Sequence, residues 1–183
     1  MTLFRVGSLA IGERRELCLI KNISAGGMKI RAYGAIFEGT RLSVELKRGQ
    51  PVAGIVSWCS GANIGVEFDD KIDVIDLLAN TIVGQRPRMP RIEVDCYATI
   101  RAGATVFRVK VADISQGGIK ICHEARIAPD SDVVVTVTGL PTAAGVLRWN
   151  EADYSGITFN ALLPLPQLMG WLTAQRDGLA HAF

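Results

Sequence analysis

The chain has 183 residues, of which 49% are hydrophobic and 21% are charged, and its formal net charge is +2. This near balance excludes the broad basic field of a general nucleic-acid-binding protein, so any anion site must be local. The four cysteines form no Cys-x-x-Cys pair and neither histidine has a plausible ligand nearby, so metal-type spacing is absent. We expect reduced cysteine thiols and no metal or cofactor.

The N-terminal segment, Met1–Arg5, does not read as a signal peptide, because its apolar run is short and soon meets the charged segment Gly12–Arg15. No stretch reaches the roughly 18 apolar residues of a membrane-spanning helix. No nucleophile–base pair or carboxylate dyad is visible either. We therefore expect a non-enzymatic cytoplasmic protein without a membrane span.

The sequence repeats itself: shifted by 91 positions, it matches without a gap. The matching positions include Ser24 with Ser115, Gly27 with Gly118, Trp58 with Trp149, and Gly65 with Gly156. A period of this length indicates a duplicated domain and not a solenoid. We predict a first copy at residues 1–83 and a second copy at residues 91–183. The Arg/Pro-rich linker between them covers residues 84–91, where prolines forbid a continuing helix.

The second copy shows strand patterns in chain order. Apolar and charged residues alternate over residues 107–111, which predicts a half-buried strand. The apolar run Val133–Thr138 predicts a second strand, ended by a Gly-Leu-Pro turn. Two further runs, Gly145–Trp149 and Gly156–Phe159, flank Asn150–Asp153 and predict a hairpin. Short strands separated in this way are typical of a small barrel or sandwich.

Helical spacing follows the strands in both copies, at Ile75, Leu78 and Ile82 in the first and after Pro166 in the second. This order predicts that each barrel ends in a helix that covers one of its openings. Trp171 lies beside the apolar stripe of the second helix. Exposure to a partner and packing between the two copies explain its position equally well.

One six-residue motif occurs in both copies: Asp113–Gly118 reads Asp-x-Ser-x-Gly-Gly, and Asn22–Gly27 matches it with asparagine in first place. A simple turn explains it, because Asp and Ser cap their own backbone and Gly permits the turn. The same groups can also hold a ligand, since they accept or donate hydrogen bonds at a base edge. Trp58 and Trp149 are predicted to pack in the core or at the barrel edge, with ligand stacking as the alternative.

Three arginines, Arg86, Arg88 and Arg91, stand in six residues just before the first strand of the second copy. The guanidinium fork binds phosphate oxygens or guanine O6 and N7, and its plane stacks on a purine. The alternative interpretation is a solvated basic linker.

These features together resemble the PilZ family of bacterial cyclic di-GMP (c-di-GMP) receptors and adaptors. That family carries Arg-x-x-x-Arg, then Asp/Asn-x-Ser-x-x-Gly, and here Gly-x-x-x-Trp and Gly-x-x-Phe strands follow. The resemblance implies a mainly β fold: two tandem six-stranded antiparallel β-barrels, each with a C-terminal helix. It also implies c-di-GMP-binding residues in the second copy, namely Arg86, Arg88, Arg91, Asp113, Ser115, Gly117 and Gly118. Arg91 takes the second arginine position, while Arg86 and Arg88 flank Pro87 at the first.

The resemblance therefore implies a signalling receptor in which the linker arginines and the second-copy loop capture c-di-GMP and fix the orientation of the two copies. The first copy is expected not to bind, because Asn22 lies only 21 residues from Met1 and no arginine pair precedes it. The alternative is a ligand-independent adaptor for an unknown protein partner. Nucleic acid is not an expected partner.

Overall fold

The computed structural model describes residues 1–46, 50–79, 89–122 and 127–180. The chain divides into two compact units, Met1–Pro90 and Arg91–Phe183. Each unit is a closed antiparallel barrel of six strands. The predicted mainly β fold with two six-stranded barrels is thus confirmed. Over the described ranges, no helix combines the length and apolarity needed to cross a membrane.

The first barrel is built from β1 (Thr2–Ile11), β2 (Arg14–Ser24), β3 (Gly27–Arg31), β4 (Arg41–Glu45), β5 (Pro51–Ser60) and β6 (Asn63–Phe68). Its strands neighbour one another in the order β1-β2-β3-β6-β5-β4, and β4 pairs with β1 to close the barrel. A short helix, α1 (Val74–Ala79), follows.

The second barrel repeats this plan with β7 (Ile92–Ala102), β8 (Thr105–Ser115), β9 (Gly118–Cys122), β10 (Asp132–Val137), β11 (Ala143–Glu151) and β12 (Tyr154–Phe159). The order around the ring is β7-β8-β9-β12-β11-β10, with β10 paired to β7. The helix α2 (Leu165–Ala180) ends the unit. Both barrels therefore share one topology.

Even the irregularities of the ladders recur 91 residues apart. The β2–β3 register shifts between Ile20 and Asn22, and the β8–β9 register shifts between Val111 and Asp113. The β5–β6 and β11–β12 ladders shift just before Trp58 and Trp149 respectively. A bulge changes which face of the sheet the following side chain occupies. These shifts therefore set the positions of Asp113 and Trp149.

Apolar side chains fill the interior of each barrel, as alternation along the strands predicts. The fully buried core of the second barrel consists mainly of branched residues: Ile100, Val111, Ile119, Ile121, Leu147 and Ile157. β-branched side chains suit extended strands. Each such side chain stabilises the fold by about 1.5–3 kcal/mol through burial.

The predicted hairpin exists, but its turn is shorter than expected. The two strands extend to Glu151 and Tyr154, so only Ala152 and Asp153 form the turn, and Ala152 has a φ of 47°. The predicted turn includes Asn150, which the structure places in β11. Its side-chain amide instead donates to the Ile127 carbonyl at 2.8 Å, which keeps it in the strand.

The helix predicted for the first copy differs from the structure in two ways. It is short, so α2 is the only substantial helix among the described residues. Ile75 is 79% exposed, whereas Val74, Leu77 and Leu78 pack against the core. The apolar face is thus shifted by one residue from Ile75, and Ile82 lies outside the described residues.

Trp171 is buried and 6% exposed, so the alternative that it is exposed to a partner is wrong. Its indole Nε1 donates to the Thr138 carbonyl at 2.8 Å, and its ring lies beside Gly139. Gly139 has a φ of 85°, a left-handed conformation that favours glycine. Trp171 therefore anchors α2 to the β10–β11 turn of its own barrel.

Candidate ligand-binding face of the second barrel

Two of the predicted site residues meet at the start of the second barrel. Arg91 directly precedes β7, and Asp113 lies on β8 opposite Glu93. The Arg91 Nη1 donates to Asp113 Oδ1 at 2.6 Å, with the two side chains 40% and 18% exposed. Charge-assisted hydrogen bonds of this kind are short and strong. The barrel thus fixes a guanidinium beside the first residue of the motif.

The rest of the motif shapes the β8–β9 turn. The Ser115 hydroxyl is buried and donates to the Gly118 carbonyl at 3.2 Å. The Gly117 carbonyl accepts from the Phe159 backbone N–H at 2.9 Å. A Cβ at Gly118 would overlap the Ile157 carbonyl, so close approach of β12 requires this glycine, and its φ is not positive.

The corresponding turn of the first barrel has the same construction. The Ser24 hydroxyl donates to the Gly27 carbonyl at 3.1 Å, and a Cβ at Gly27 would overlap the Val66 carbonyl. The turn interpretation therefore accounts for serine and glycine in both copies. The first residue of the motif differs between the copies. The N-terminal amino group of Met1 donates to Asn22 Oδ1 at 3.3 Å, whereas Arg91 donates to Asp113.

Strand register places three more residues in line with Asp113. The pairs Asp113–Lys120, Lys120–Gly156 and Gly156–Trp149 run across four strands on the outer face. A Cβ at Gly156 would overlap the indole of Trp149, so the ring lies over this glycine. The Lys120 Nζ lies 3.9 Å from the Tyr154 ring centroid. Asp113, Lys120, Gly156 and Trp149, together with Arg91, are called the ligand row below.

A PilZ domain profile matches residues 5–83 and again residues 85–167. The chain belongs to the PilZ domain family. It carries two PilZ domains in tandem, and the family consists of receptors and adaptors without enzymatic activity. Within the described ranges, no three His, Cys, Asp or Glu side chains are arranged to hold a metal ion.

Several solved structures are similar to this chain. They include PlzA of Borreliella burgdorferi in complex with c-di-GMP, at 14% identity, 91% and 86% coverage of the two chains and a TM-score of 0.41. The Bacillus subtilis inhibitor of motility MotI/DgrA matches at 11% identity, 99% and 100% coverage and a TM-score of 0.40. YcgR of Escherichia coli in complex with c-di-GMP matches at 13% identity, 96% and 85% coverage and a TM-score of 0.40. No curated protein matches the chain.

The outer face of the first PilZ domain contains a shallow groove of about 420 Å³ beside its motif loop. Its polar and aromatic lining includes Asn22, Ser24, Lys29, Ser57, Trp58 and Glu67. Their counterparts 91 residues later are Asp113, Ser115, Lys120, Arg148, Trp149 and Thr158. The two PilZ domains therefore present the same framework with different charges.

Those charges separate the two PilZ domains. In the first, the groove carries Lys29 and the carboxylate of Glu67, whereas the second has Thr158 in place of Glu67, Arg148 in place of Ser57 and Asp113 in place of Asn22. Arg148 contacts Asp130 at 3.3 Å through largely exposed side chains, an ion pair that contributes little to stability. With Arg91 and Lys120, the second domain offers the more positive face to an anion.

Sequence reasoning named Arg91 and Asp113 as candidate site residues, did not name Lys120, and favoured packing for Trp149. The structure supports packing of Trp149 over Gly156 and also places the ring in the ligand row. The repetition of Lys29 and Trp58 at Lys120 and Trp149 was the available signal. Arg86 and Arg88 lie outside the described residues.

Proposed function

We propose that this protein is a c-di-GMP receptor and that its second PilZ domain holds the ligand. The observation that carries the proposal is the 2.6 Å contact between Arg91 and Asp113 at the head of the motif loop. Membership of the PilZ family supports c-di-GMP as the ligand. The positive balance of the outer face supports an anionic ligand.

Arg91 and Asp113 offer complementary groups to a guanine nucleotide. A guanidinium has five N–H donors, and the contact with Asp113 uses one of them. The others suit phosphate oxygens or guanine O6 and N7. The Asp113 carboxylate accepts hydrogen bonds only, so it suits the N–H edge of guanine. Since Asp113 is 18% exposed, part of the carboxylate stays accessible to a ligand.

Lys120 and Trp149 extend the site along the ligand row. Lysine is a mobile point charge that suits a phosphate group. The indole of Trp149 has one face over Gly156, and its other face can stack on a base. Base stacking on an aromatic ring contributes about 1–3 kcal/mol. In this proposal Lys120 leaves its place over Tyr154 when a phosphate binds.

The linker arginines complete the proposal. Arg86 and Arg88 are close enough in sequence to Arg91 for their side chains to join the bound ligand. Capture of the linker would shift the population of domain arrangements toward one orientation. We expect the Arg86→Ala and Arg88→Ala single variants to bind c-di-GMP only slightly more weakly than the parent, since either arginine can replace the other. The double variant should lose about as much affinity as Arg91→Ala.

Calorimetric titration of the full chain with c-di-GMP tests the proposal. We expect saturable heat with c-di-GMP and none with cyclic di-AMP, because adenine lacks the O6 acceptor for Arg91 and the N1–H and N2–H donors for Asp113. Equal binding of both dinucleotides would contradict the assigned roles. No heat at high micromolar c-di-GMP would end the receptor proposal.

The second candidate function is a ligand-independent adaptor. The observation that favours it is Pro87, which stands where the family motif has its first arginine. An adaptor would bind a protein partner through the barrel surfaces whether or not c-di-GMP is present. The same titration separates the two candidates.

A further inference from the structure

The outer face of β7 and β8 carries three cross-strand pairs: Tyr97–Lys110, Thr99–Arg108 and Arg101–Val106. We call these six residues the β7–β8 patch. Their side chains are exposed, with Tyr97 at 55% and Val106 at 59%. The patch holds three cations and no carboxylate. It therefore combines positive charge with exposed aromatic and aliphatic surface.

Arg108 is held in place by the sheet itself. Its guanidinium lies 4.7 Å from the Tyr97 ring centroid. Stacking on an aromatic ring is a favourable contact for arginine, and it limits the conformations the side chain must lose on binding. Lys110 differs, because Asp95 lies 3.0 Å from its ammonium group and raises its pKa by a hydrogen bond.

Among the described residues, Arg101 and Arg108 lack such a partner. Within the described ranges, no carboxylate lies within 4.0 Å of either guanidinium. Their planar donor groups match a carboxylate in a bidentate arrangement. The patch therefore presents two arginines that can each bind a carboxylate from another molecule.

The framework common to both PilZ domains does not require this patch. The six counterparts 91 residues earlier include one cation and no tyrosine: Val6, Ser8, Ala10, Arg15, Leu17 and Leu19. The first barrel closes with the same strand order and has no tyrosine–arginine stack at these positions, so the topology itself does not require the Tyr97–Arg108 stack. The patch is a property of the second domain alone.

We propose that the β7–β8 patch is a docking surface for an acidic segment of a partner protein that also carries aliphatic side chains. Arg101 and Arg108 would bind its carboxylates, and Val106 with the rim of Tyr97 would contact its apolar side chains. Tyrosine and arginine are enriched at the energetic centres of protein interfaces. Single-stranded nucleic acid fits less well, because Arg108 already occupies a face of the Tyr97 ring where a base would stack.

The proposal does not depend on c-di-GMP binding. None of the six patch residues belongs to the ligand row. The Arg108→Glu variant should therefore bind the dinucleotide as the parent does, and a failure of one proposal can be told from a failure of the other.

The test uses the full chain and a short fluorescein-labelled peptide of alternating glutamate and valine, with fluorescence anisotropy at low salt. We expect the peptide to bind the parent and its glutamine-for-glutamate analogue to bind at least about tenfold more weakly. Arg108→Glu should weaken binding of the acidic peptide at least about tenfold. Lys71→Glu, the same charge change at an exposed site of the first unit, should change it less than about twofold.

Three results would overturn the proposal: no binding of the acidic peptide, equal affinity for the glutamine analogue, or unchanged affinity in Arg108→Glu. Binding of a single-stranded oligonucleotide that Arg108→Glu abolishes, without peptide binding, would reassign the patch to nucleic acid. Arg108→Gln removes the positive charge without adding repulsion and should also weaken binding of the acidic peptide. Circular dichroism of each variant confirms that the fold is kept.

Discussion

Arg91 is the residue whose position the barrel fixes most directly, because it precedes β7 and contacts Asp113 on the neighbouring strand. A lost charge-assisted hydrogen bond costs about 1.5–3 kcal/mol. We therefore expect Arg91→Ala to weaken c-di-GMP binding by about tenfold or more in calorimetric titration. Arg91→Lys keeps the charge but loses the planar fork, so its c-di-GMP affinity should lie between those of the parent and Arg91→Ala.

Arg41 supplies a matched control for this substitution. It contacts Asp69 at the same distance, 2.6 Å, but in the first barrel. Arg41→Ala removes an equivalent ion pair and should leave the c-di-GMP affinity unchanged. If Arg91→Ala also binds as tightly as the parent, the ligand row is not the site. Asp113→Ala should weaken binding too, since the guanine edge loses its acceptor.

Cys18 gives a prediction on pH. It is completely buried, and burial raises the pKa of its thiol from 9.0 to about 12. In the unfolded chain the thiol ionises near 9.0, so its contribution to stability is full below pH 9.0 and is lost as the pH rises toward about 12. The difference in urea-unfolding free energy between the parent and Cys18→Ala should shrink over that range.

Thiol titration checks the same environment at pH 8. All four cysteines are free in the structure. Ellman's reagent should leave Cys18 unreacted in the native protein and find four thiols after denaturation. Rapid native reaction of Cys18 would contradict its burial.

At the scale of the strand, Gly156 controls where Trp149 lies. A methyl group there would overlap three atoms of the indole, so Gly156→Ala must displace the ring. We expect a loss of about 1–3 kcal/mol in urea unfolding, typical of overpacking. The displaced ring should also weaken c-di-GMP binding.

Gly170 is the control for this substitution. It lies in α2, and a Cβ added there would have open space around it, so the methyl group of Gly170→Ala would meet no neighbour. Alanine favours a helix over glycine by about 1 kcal/mol, and this variant should be at least as stable as the parent. If Gly156→Ala also loses no stability, the indole can move aside at no cost.

The strand pattern of the second copy could be predicted because alternation over residues 107–111 reflects burial on one face of a sheet. Ends and turns could not be predicted as well. Asn150 remains in a strand through a contact with Ile127, which is remote in sequence. Trp171 is buried through Thr138, again a tertiary contact that helical spacing does not contain.

The candidate site divides in the same way. Arg91 and Asp113 could be found from sequence, because one marks the strand start and the other opens the motif. The repeat singles out Lys120 and Trp149, but their position in line with Asp113 follows only from the strand register. The ladders shift just before Asp113 and before Trp149, and a shift moves the following side chains to a different face. No local pattern reveals where such a shift occurs.

For the whole molecule, the main difference between the two PilZ domains is charge. We expect the first domain not to bind c-di-GMP, since Glu67 would repel its phosphates and Asn22 lies beside the N-terminal amino group of Met1, whereas Asp113 contacts Arg91. The full chain carrying both Arg91→Ala and Asp113→Ala should therefore show no residual heat with c-di-GMP. Heat that remains and is abolished by Lys29→Ala would place a second site in the first domain.

Because each register shift recurs 91 residues later, the groove of one barrel can be compared directly with the groove of the other. Every position of one groove has a twin on an equivalent backbone, in the same solution and at the same concentration. The substitutions Asn22→Asp, Ser57→Arg and Glu67→Thr give the first groove the side chains found in the second and leave the strands unchanged. The chain thus carries a second barrel of the same construction against which the proposed c-di-GMP site can be compared.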